Sequence, residues 1–255
     1  VAAIAVTDRL RSVASHDPVT VATTLMAEAG KPVVMHLSGK GSAPDRVRRT
    51  LAGARSSGIR NILAMSGDRS DQHPVKPGSG RPLAYEAGYC ESLNIIRLAS
   101  QPDAFFYVGG VVNPFKYNPA DQYLQYYKML RKLASGAEFI VAHAGWDMKK
   151  LQELQWYLSL RQVSNAVMAR LLLLSLADIR TLERTVWPGV HVPREFTAVL
   201  QRESNISASQ CLAAQLPRIA LQAAGCKLMG YSGVQIAGIR DAATLEMVLA
   251  RVQEA

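Results

Sequence analysis

Pro32-Val33-Val34-Met35-His36-Leu37-Ser38 and, one amphipathic stretch later, Asn61-Ile62-Leu63-Ala64-Met65-Ser66-Gly67-Asp68 decide how this chain is read. Each is a short apolar run that closes on polar, chemically useful side chains, and the stretch between them has helical periodicity. A parallel barrel delivers side chains in this way, because its active site collects at the carboxyl ends of its strands. A His at one strand end and Ser-Gly-Asp at the next are the parts of a built site.

Outward from that pair, the same alternation continues. Strands are expected at residues 1–7, 32–37, 61–65, 105–112, 139–143, 165–174 and 228–239, and helices at 19–30, 43–58, 83–100, 119–136, 148–161 and 242–255. Gly30 reads as a helix stop, and Ser42 before Pro44 as a helix cap. Residues 71–82, with Pro77-Gly78-Ser79-Gly80-Arg81-Pro82, read as a loop. Pro188, Pro193 and Pro217 are expected to break residues 175–226 into several short helices. Strand alternating with helix throughout means a parallel sheet with right-handed crossovers. The expected fold is an α/β (β/α)8 TIM barrel. That barrel takes eight strands, so its first strand is expected before Val1. The alternative is an open doubly wound sheet.

The bulk numbers narrow the function. A chain of 255 residues fits one barrel domain spanning 1–255. A net charge of +9 suits an anionic ligand such as a pyrophosphate or a polyglutamate tail. The basic residues are scattered without interleaved aromatics, which argues against nucleic acid. Cys90, Cys211 and Cys226 are odd in number and lack CxxC spacing, as expected of reduced thiols in a cytoplasmic protein. No stretch reaches the roughly 18 continuous apolar residues of a membrane span. Gly39-Lys40-Gly41-Ser42 lacks the spacing of a phosphate loop. His143 and Asp147 are in no metal-ligand pattern, and no metal is expected.

Five ordered segments carry a resemblance: His36-Leu37-Ser38, residues 58–68, residues 77–82, Gly136-Ala137-Glu138-Phe139-Ile140, and residues 233–240 ending at Arg240. Together they resemble the methylenetetrahydrofolate reductase family, in its bacterial form, over nearly the whole chain. The resemblance implies a barrel that carries FAD and passes a hydride from NADH or NADPH through the flavin to 5,10-methylenetetrahydrofolate, giving 5-methyltetrahydrofolate. It implies FAD contacts at Thr7, His36, Ser66, Gly67, Asp68, Tyr85, Arg131, Lys132 and Ala137. Asp68 would act catalytically between flavin and pterin, and His143 and Arg240 would meet the folate. A homo-oligomer or a complex with a partner subunit is left open.

Each assignment has a plainer competitor. Asp68 suits a turn or helix cap, His36 a satisfied core histidine, and Arg131 with Lys132 a solvated helix face. Trp146, Tyr123, Tyr126 and Tyr127 are read as packing residues. The chain also departs from the family pattern. The acid that would protonate the pterin is a Glu of the first barrel strand, expected upstream of Val1. His143 stands where better-known members carry Gln, and residues 109–115 differ from their flavin-binding loop. Two alternatives follow: a methyltetrahydrofolate-binding methyltransferase barrel, and a folate-binding subunit that depends on a partner.

Overall fold

A computed structural model describes residues 1–8, 17–39, 43–66, 90–182, 187 and 190–254. The described residues form a seven-stranded sheet in the order β1-β2-β3-β4-β5-β6-β7. The strands are β1 (Ile4–Val6), β2 (Val33–Ser38), β3 (Asn61–Met65), β4 (Tyr107–Val112), β5 (Phe139–Ala142), β6 (Ala166–Leu172) and β7 (Gly233–Ala237). Adjacent strands pair in parallel, for example Val34 with Asn61 and Met168 with Gly233. Each strand lies beside its predecessor. A doubly wound sheet would reverse its strand order at a switch point, so the fold is an α/β TIM barrel.

The chain divides into two compact units, residues 1–111 with 127–140, and residues 112–126 with 141–255. In the first, α1 (Pro18–Ala29), α2 (Pro44–Ser56) and α3 (Ser92–Ala99) follow β1, β2 and β3. Local chemistry sets the bounds of α1. Asp17 accepts hydrogen bonds from the Val19 and Thr20 amides, Pro18 opens the helix, and Gly30 closes it at φ 58°, returning its N–H to Met26. The core on the helix side contains Val33, Met35, Leu37, Val47, Leu51, Ile62, Ala64 and Ile96. Because strand side chains alternate, that packing turns His36 and Ser38 to the opposite face of β2. In β4, a Cβ on Gly109 would lie 2.3 Å from the Phe139 ring, and one on Gly110 would lie 3.0 Å from Lys132 Cδ. The Gly109-Gly110 pair lets an aromatic ring and a lysine stem lie close against the two faces of the strand.

The second unit contains α5 (Met148–Leu160), α6 (Leu176–Leu182), α7 (Arg194–Ile206), α8 (Ala208–Leu228) and α9 (Ala242–Glu254); α4 (Pro119–Ala134) is shared between the two units. Two expectations change here. Pro217 does not break its helix but sits inside the 21-residue α8. Burial of Leu216, Ile219, Ala220, Ala223 and Cys226 on that helix offsets the ~3 kcal/mol that an interior proline costs. The last strand is shorter than expected. Leu228 belongs to α8, Gly230 turns the chain at φ 86°, and β7 starts at Gly233. Residues 71–82, Ser42 and the first part of the helix expected at 83–100 lie outside the described residues. Among the described residues, no helix is long and apolar enough to cross a membrane.

Candidate functional site

In the first unit, polar groups gather where β1, β2 and β3 end. Thr7 follows β1 directly, His36 is buried on β2 opposite Leu63 of β3, and Ser38 closes β2. The Ser38 amide donates to Asp8 Oδ2 at 2.5 Å, tying the ends of β1 and β2 together. Gly39 donates to Met65 O at 2.9 Å and accepts from the Cys90 amide at 3.1 Å. A Cβ on Gly39 would fall 1.5 Å from Cys90 O, so only glycine fits there. Ser66, just past β3, is held by the start of α3. Its hydroxyl donates to Glu91 Oε2 at 3.0 Å and accepts from the Ser92 amide at 3.1 Å.

Lys132 has a structural partner. From α4 its ammonium donates to the carbonyl of Val111 at 2.5 Å, at the end of β4. Burial, with help from the Lys128 charge, pulls its pKa down from 10.5 to about 8. Arg131, beside it, is exposed, as a solvated helix face requires. Ala137 is buried in the hydrophobic core at the amino end of β5, away from the carboxyl ends where the polar groups collect. Gly67, Asp68 and Tyr85 lie outside the described residues.

In the second unit, the chain past β4 and β5 builds a cluster the sequence did not announce. His143 follows β5, its amide donating to Val112 O at 2.8 Å. Tyr117 lies 2.8 Å from Asp147 Oδ2 and 2.8 Å from His191 Nε2. Phe115 stacks on the His191 ring, centroids 5.9 Å apart. The buried Lys150 donates to Glu153 at 2.7 Å and sits 5.1 Å from the Tyr117 ring centre. The hydrogen bond from Lys150 keeps the Glu153 carboxyl below its ordinary range. Burial raises the Tyr117 phenol, and its bond to Asp147 adds to that. His191 is lowered by burial, with the Asp147 charge opposing. The only sequence signal for this cluster was Asp147 at the head of an expected helix, since His191 lies inside the proline-broken stretch.

Past β6 and β7, Arg240 pairs with Asp178 at 2.9 Å, and Asp178 also accepts from the Ser175 hydroxyl at 2.7 Å. Arg240 and Ser175 border a cavity of about 180 Å³ that is also lined by Leu173, Cys211, Gly238 and Thr244, among others. Gly238, at φ 88°, would place a Cβ 2.0 Å from Leu173 O. Within the β6–β7 pair, Arg170 Nε donates to Gln235 at 2.8 Å while its Nη2 is buried without a hydrogen-bond partner. Burial lowers that guanidinium to about 10, so it stays charged at neutral pH. Of the four aromatics read as packing, Tyr126 is buried and packs on Tyr157, and Trp146 packs on Phe196. Tyr123 and Tyr127 are exposed instead, on the outer side of an amphipathic helix.

A family model for methylenetetrahydrofolate reductase matches residues 2–230. The chain belongs to the methylenetetrahydrofolate reductase family. Its fold is also similar to that of an uncharacterized protein from Clostridium thermocellum, described as binding two copies of 5-methyl-5,6,7,8-tetrahydrofolic acid. That protein is 12% identical, with a TM-score of 0.58, and the likeness covers 99% of this chain and 93% of that one. Weaker likenesses include a 2,3-dimethylmalate lyase (10% identity, TM-score 0.47, 98% and 79% covered). Another is the phosphoenolpyruvate phosphomutase of Streptomyces platensis subsp. rosaceus (16%, TM-score 0.40, 73% and 64% covered). No curated protein matches the chain.

Proposed function

We propose that this member of the methylenetetrahydrofolate reductase family binds a reduced folate at the carboxyl ends of its strands. There it converts 5,10-methylenetetrahydrofolate to 5-methyltetrahydrofolate, with FAD as cofactor and NADH or NADPH as hydride source. The observation that carries this reading is the family match over residues 2–230. The polar strand ends and the methyltetrahydrofolate described for the structural neighbour support it. The catalytic unit is proposed to be one barrel domain over residues 1–255, and the unpaired thiols of Cys90, Cys211 and Cys226 suit the cytoplasm.

The described donor set fits FAD in part. Thr7 and His36 offer a hydroxyl and an imidazole at strand ends, as the edge of an isoalloxazine ring requires. Its pyrophosphate needs cations, and Lys132 is bonded to Val111 O, which leaves Arg131 of the expected pair. Bound flavin would supply the hydride relay, and the protein position and electrostatics. Asp68 is proposed to hold the pterin beside it, with His143 and Arg240 on the folate. The engagement of Lys132 and Ser66 within the protein favours a second reading, a folate-binding barrel that transfers a methyl group or serves a partner subunit without flavin.

One experiment separates the two. The absorbance spectrum of the purified protein is followed through anaerobic NADH addition and then methylenetetrahydrofolate. Flavin bands that bleach and return support the reductase; a colourless protein that takes up no FAD supports the second reading. His36→Ala is expected to weaken FAD retention about tenfold, the effect of losing one good hydrogen bond, and equal occupancy would count against that contact. Asp68→Asn should slow reoxidation of reduced flavin by the folate more than it lowers flavin content.

A further inference from the structure

The β6–β7 pair presents two unlike faces. On β6, Val167, Ala169 and Leu171 are buried, while Met168, Arg170 and Leu172 alternate with them on the other side. The register sets Met168 beside Gly233, Arg170 beside Gln235 and Leu172 beside Ala237, which leaves Val234 and Ile236 on the face of the buried trio. α8 packs against both strands, and an all-apolar face is the one a helix covers. Arg170 and Gln235 therefore lie on the face turned to the barrel interior. A positive charge there is costly, since burial takes the guanidinium out of water and only well-placed partners offset that. Gln235 offsets part of it, its side-chain oxygen accepting from Arg170 Nε at 2.8 Å. Nη2 is buried and has no acceptor. Burial lowers the group to about 10, with no carboxylate among the described residues acting against it, and it stays charged at neutral pH.

We propose that Arg170 and Gln235 form an anion subsite on the interior face of the β6–β7 pair, and that it takes a single carboxylate group. A guanidinium is a flat fork of donors, and Gln235 fixes its plane by holding Nε. The hydrogens of Nη2 are left over, and a planar oxyanion is the acceptor that matches them. Beside the fork, β7 is bare. Gly233 and Ala237 share the face of Gln235, and a Cβ on Gly233 would meet nothing nearer than Met168 Cγ at 3.9 Å. Space, charge and an unused donor thus coincide on one face. A neutral ligand would leave the charge uncompensated, whereas a carboxylate brings one negative charge and two coplanar acceptors. Stability gives no reason for an arginine here, since Met would fill the space without burying a charge. Two sources share this chemistry: the glutamyl carboxylates of a reduced folate, and a small free carboxylate. The subsite rests on the folate reading above only for the first of these.

The test measures Tm of the full chain in sodium formate and in sodium chloride of equal ionic strength. Alongside it, calorimetry measures binding of 5-methyltetrahydrofolate and of 5-methyltetrahydropterin, which lacks the glutamyl carboxylates. If the site takes a free carboxylate, formate at about ten times its dissociation constant should raise Tm by about 2–3 °C over chloride. Arg170→Met, which loses only an ill-paired charge and so should fold, should show no such rise. Gln235→Glu sets a carboxylate of the protein beside Nε, and should raise Tm in chloride while removing the formate response. If the carboxylate is the folate's own, Arg170→Met should weaken 5-methyltetrahydrofolate at least about tenfold, the loss of one charged hydrogen bond, and leave the pterin unchanged. The proposal is overturned if Arg170→Met matches wild type both in its response to formate and in its affinity for the folate. Folate that still binds the two chains equally would then leave the folate reading standing. A formate response lost in Arg170→Met, in a protein that binds no reduced folate, would sink the folate reading and keep the subsite. A wild-type chain that answers to neither ligand overturns both.

Discussion

The strand ends of β1, β2 and β3 and those of β4 and β5 are furnished by different means. In the first region the polar groups sit on the strands or one residue beyond them, and regular alternation aims them: His36 and Ser38 face away from the core that takes Met35 and Leu37. Backbone contact locks the region, with Gly39 pressed against Cys90 O. In the second, the groups come from three separate loops. Tyr117 and Asp147 are 30 residues apart, and Tyr117 and His191 are 74 apart. Side-chain hydrogen bonds and stacking join them. The first region should therefore be intolerant of any change in shape, and the second sensitive in chemistry but tolerant in stability.

Substitutions in each region test that contrast. Gly39→Ala should have the largest effect, since backbone must move to admit the methyl. A loss of about 4 kcal/mol is expected, a fall of about 10 °C in Tm. A Tm within a few degrees of wild type would remove the rigidity claimed for the first region.

Lys132→Met should show next, through pH. The folded amine titrates near 8 against about 10.4 in the unfolded chain. The unfolded state thus binds more protons between pH 8 and 10, and stability should rise across that window by up to about 3 kcal/mol. Below pH 8 both states are protonated and the penalty is constant. The Met variant should lose the slope and melt higher at pH 7; a slope that survives in it would assign the effect to other groups.

Arg170→Met should come third. It removes a buried charge whose Nη2 is unpartnered, so a gain of about 1 kcal/mol is expected in thermal denaturation. A destabilised variant would mean that the Gln235 bond outweighs the cost of burying the charge. Tyr117→Phe should be the smallest, within about 0.5 kcal/mol by thermal denaturation, as expected at an exposed position. A loss as large as that of Gly39→Ala would erase the difference between the regions.

Much of the fold was legible because strand and helix differ in hydrophobic period. The strand at Asn61–Met65 could be bounded to the residue at both ends, and the one ending at Val112 at its carboxyl end, though it starts at Tyr107 and not at Phe105. Pro217 was misleading because local propensity favours a break, while the apolar side of α8 holds the helix together. Lys132 was read from its charge and its place on a helix, but the missing side chain of Gly110 opens a path along which its stem reaches the Val111 carbonyl.

By itself the sequence determined the alternation of strand and helix, the family, and the placing of Thr7, His36 and Ser66 at strand ends. All of these follow from local period and short motifs, which act over a few residues. Tertiary structure alone decided that Lys132 is bonded to a carbonyl, that Arg170 is buried with an unpartnered nitrogen, and that Tyr117, Asp147 and His191 meet. Those outcomes depend on contacts between residues far apart in the chain, and no local pattern encodes the distance between two side chains until the sheet has set where each loop leaves it.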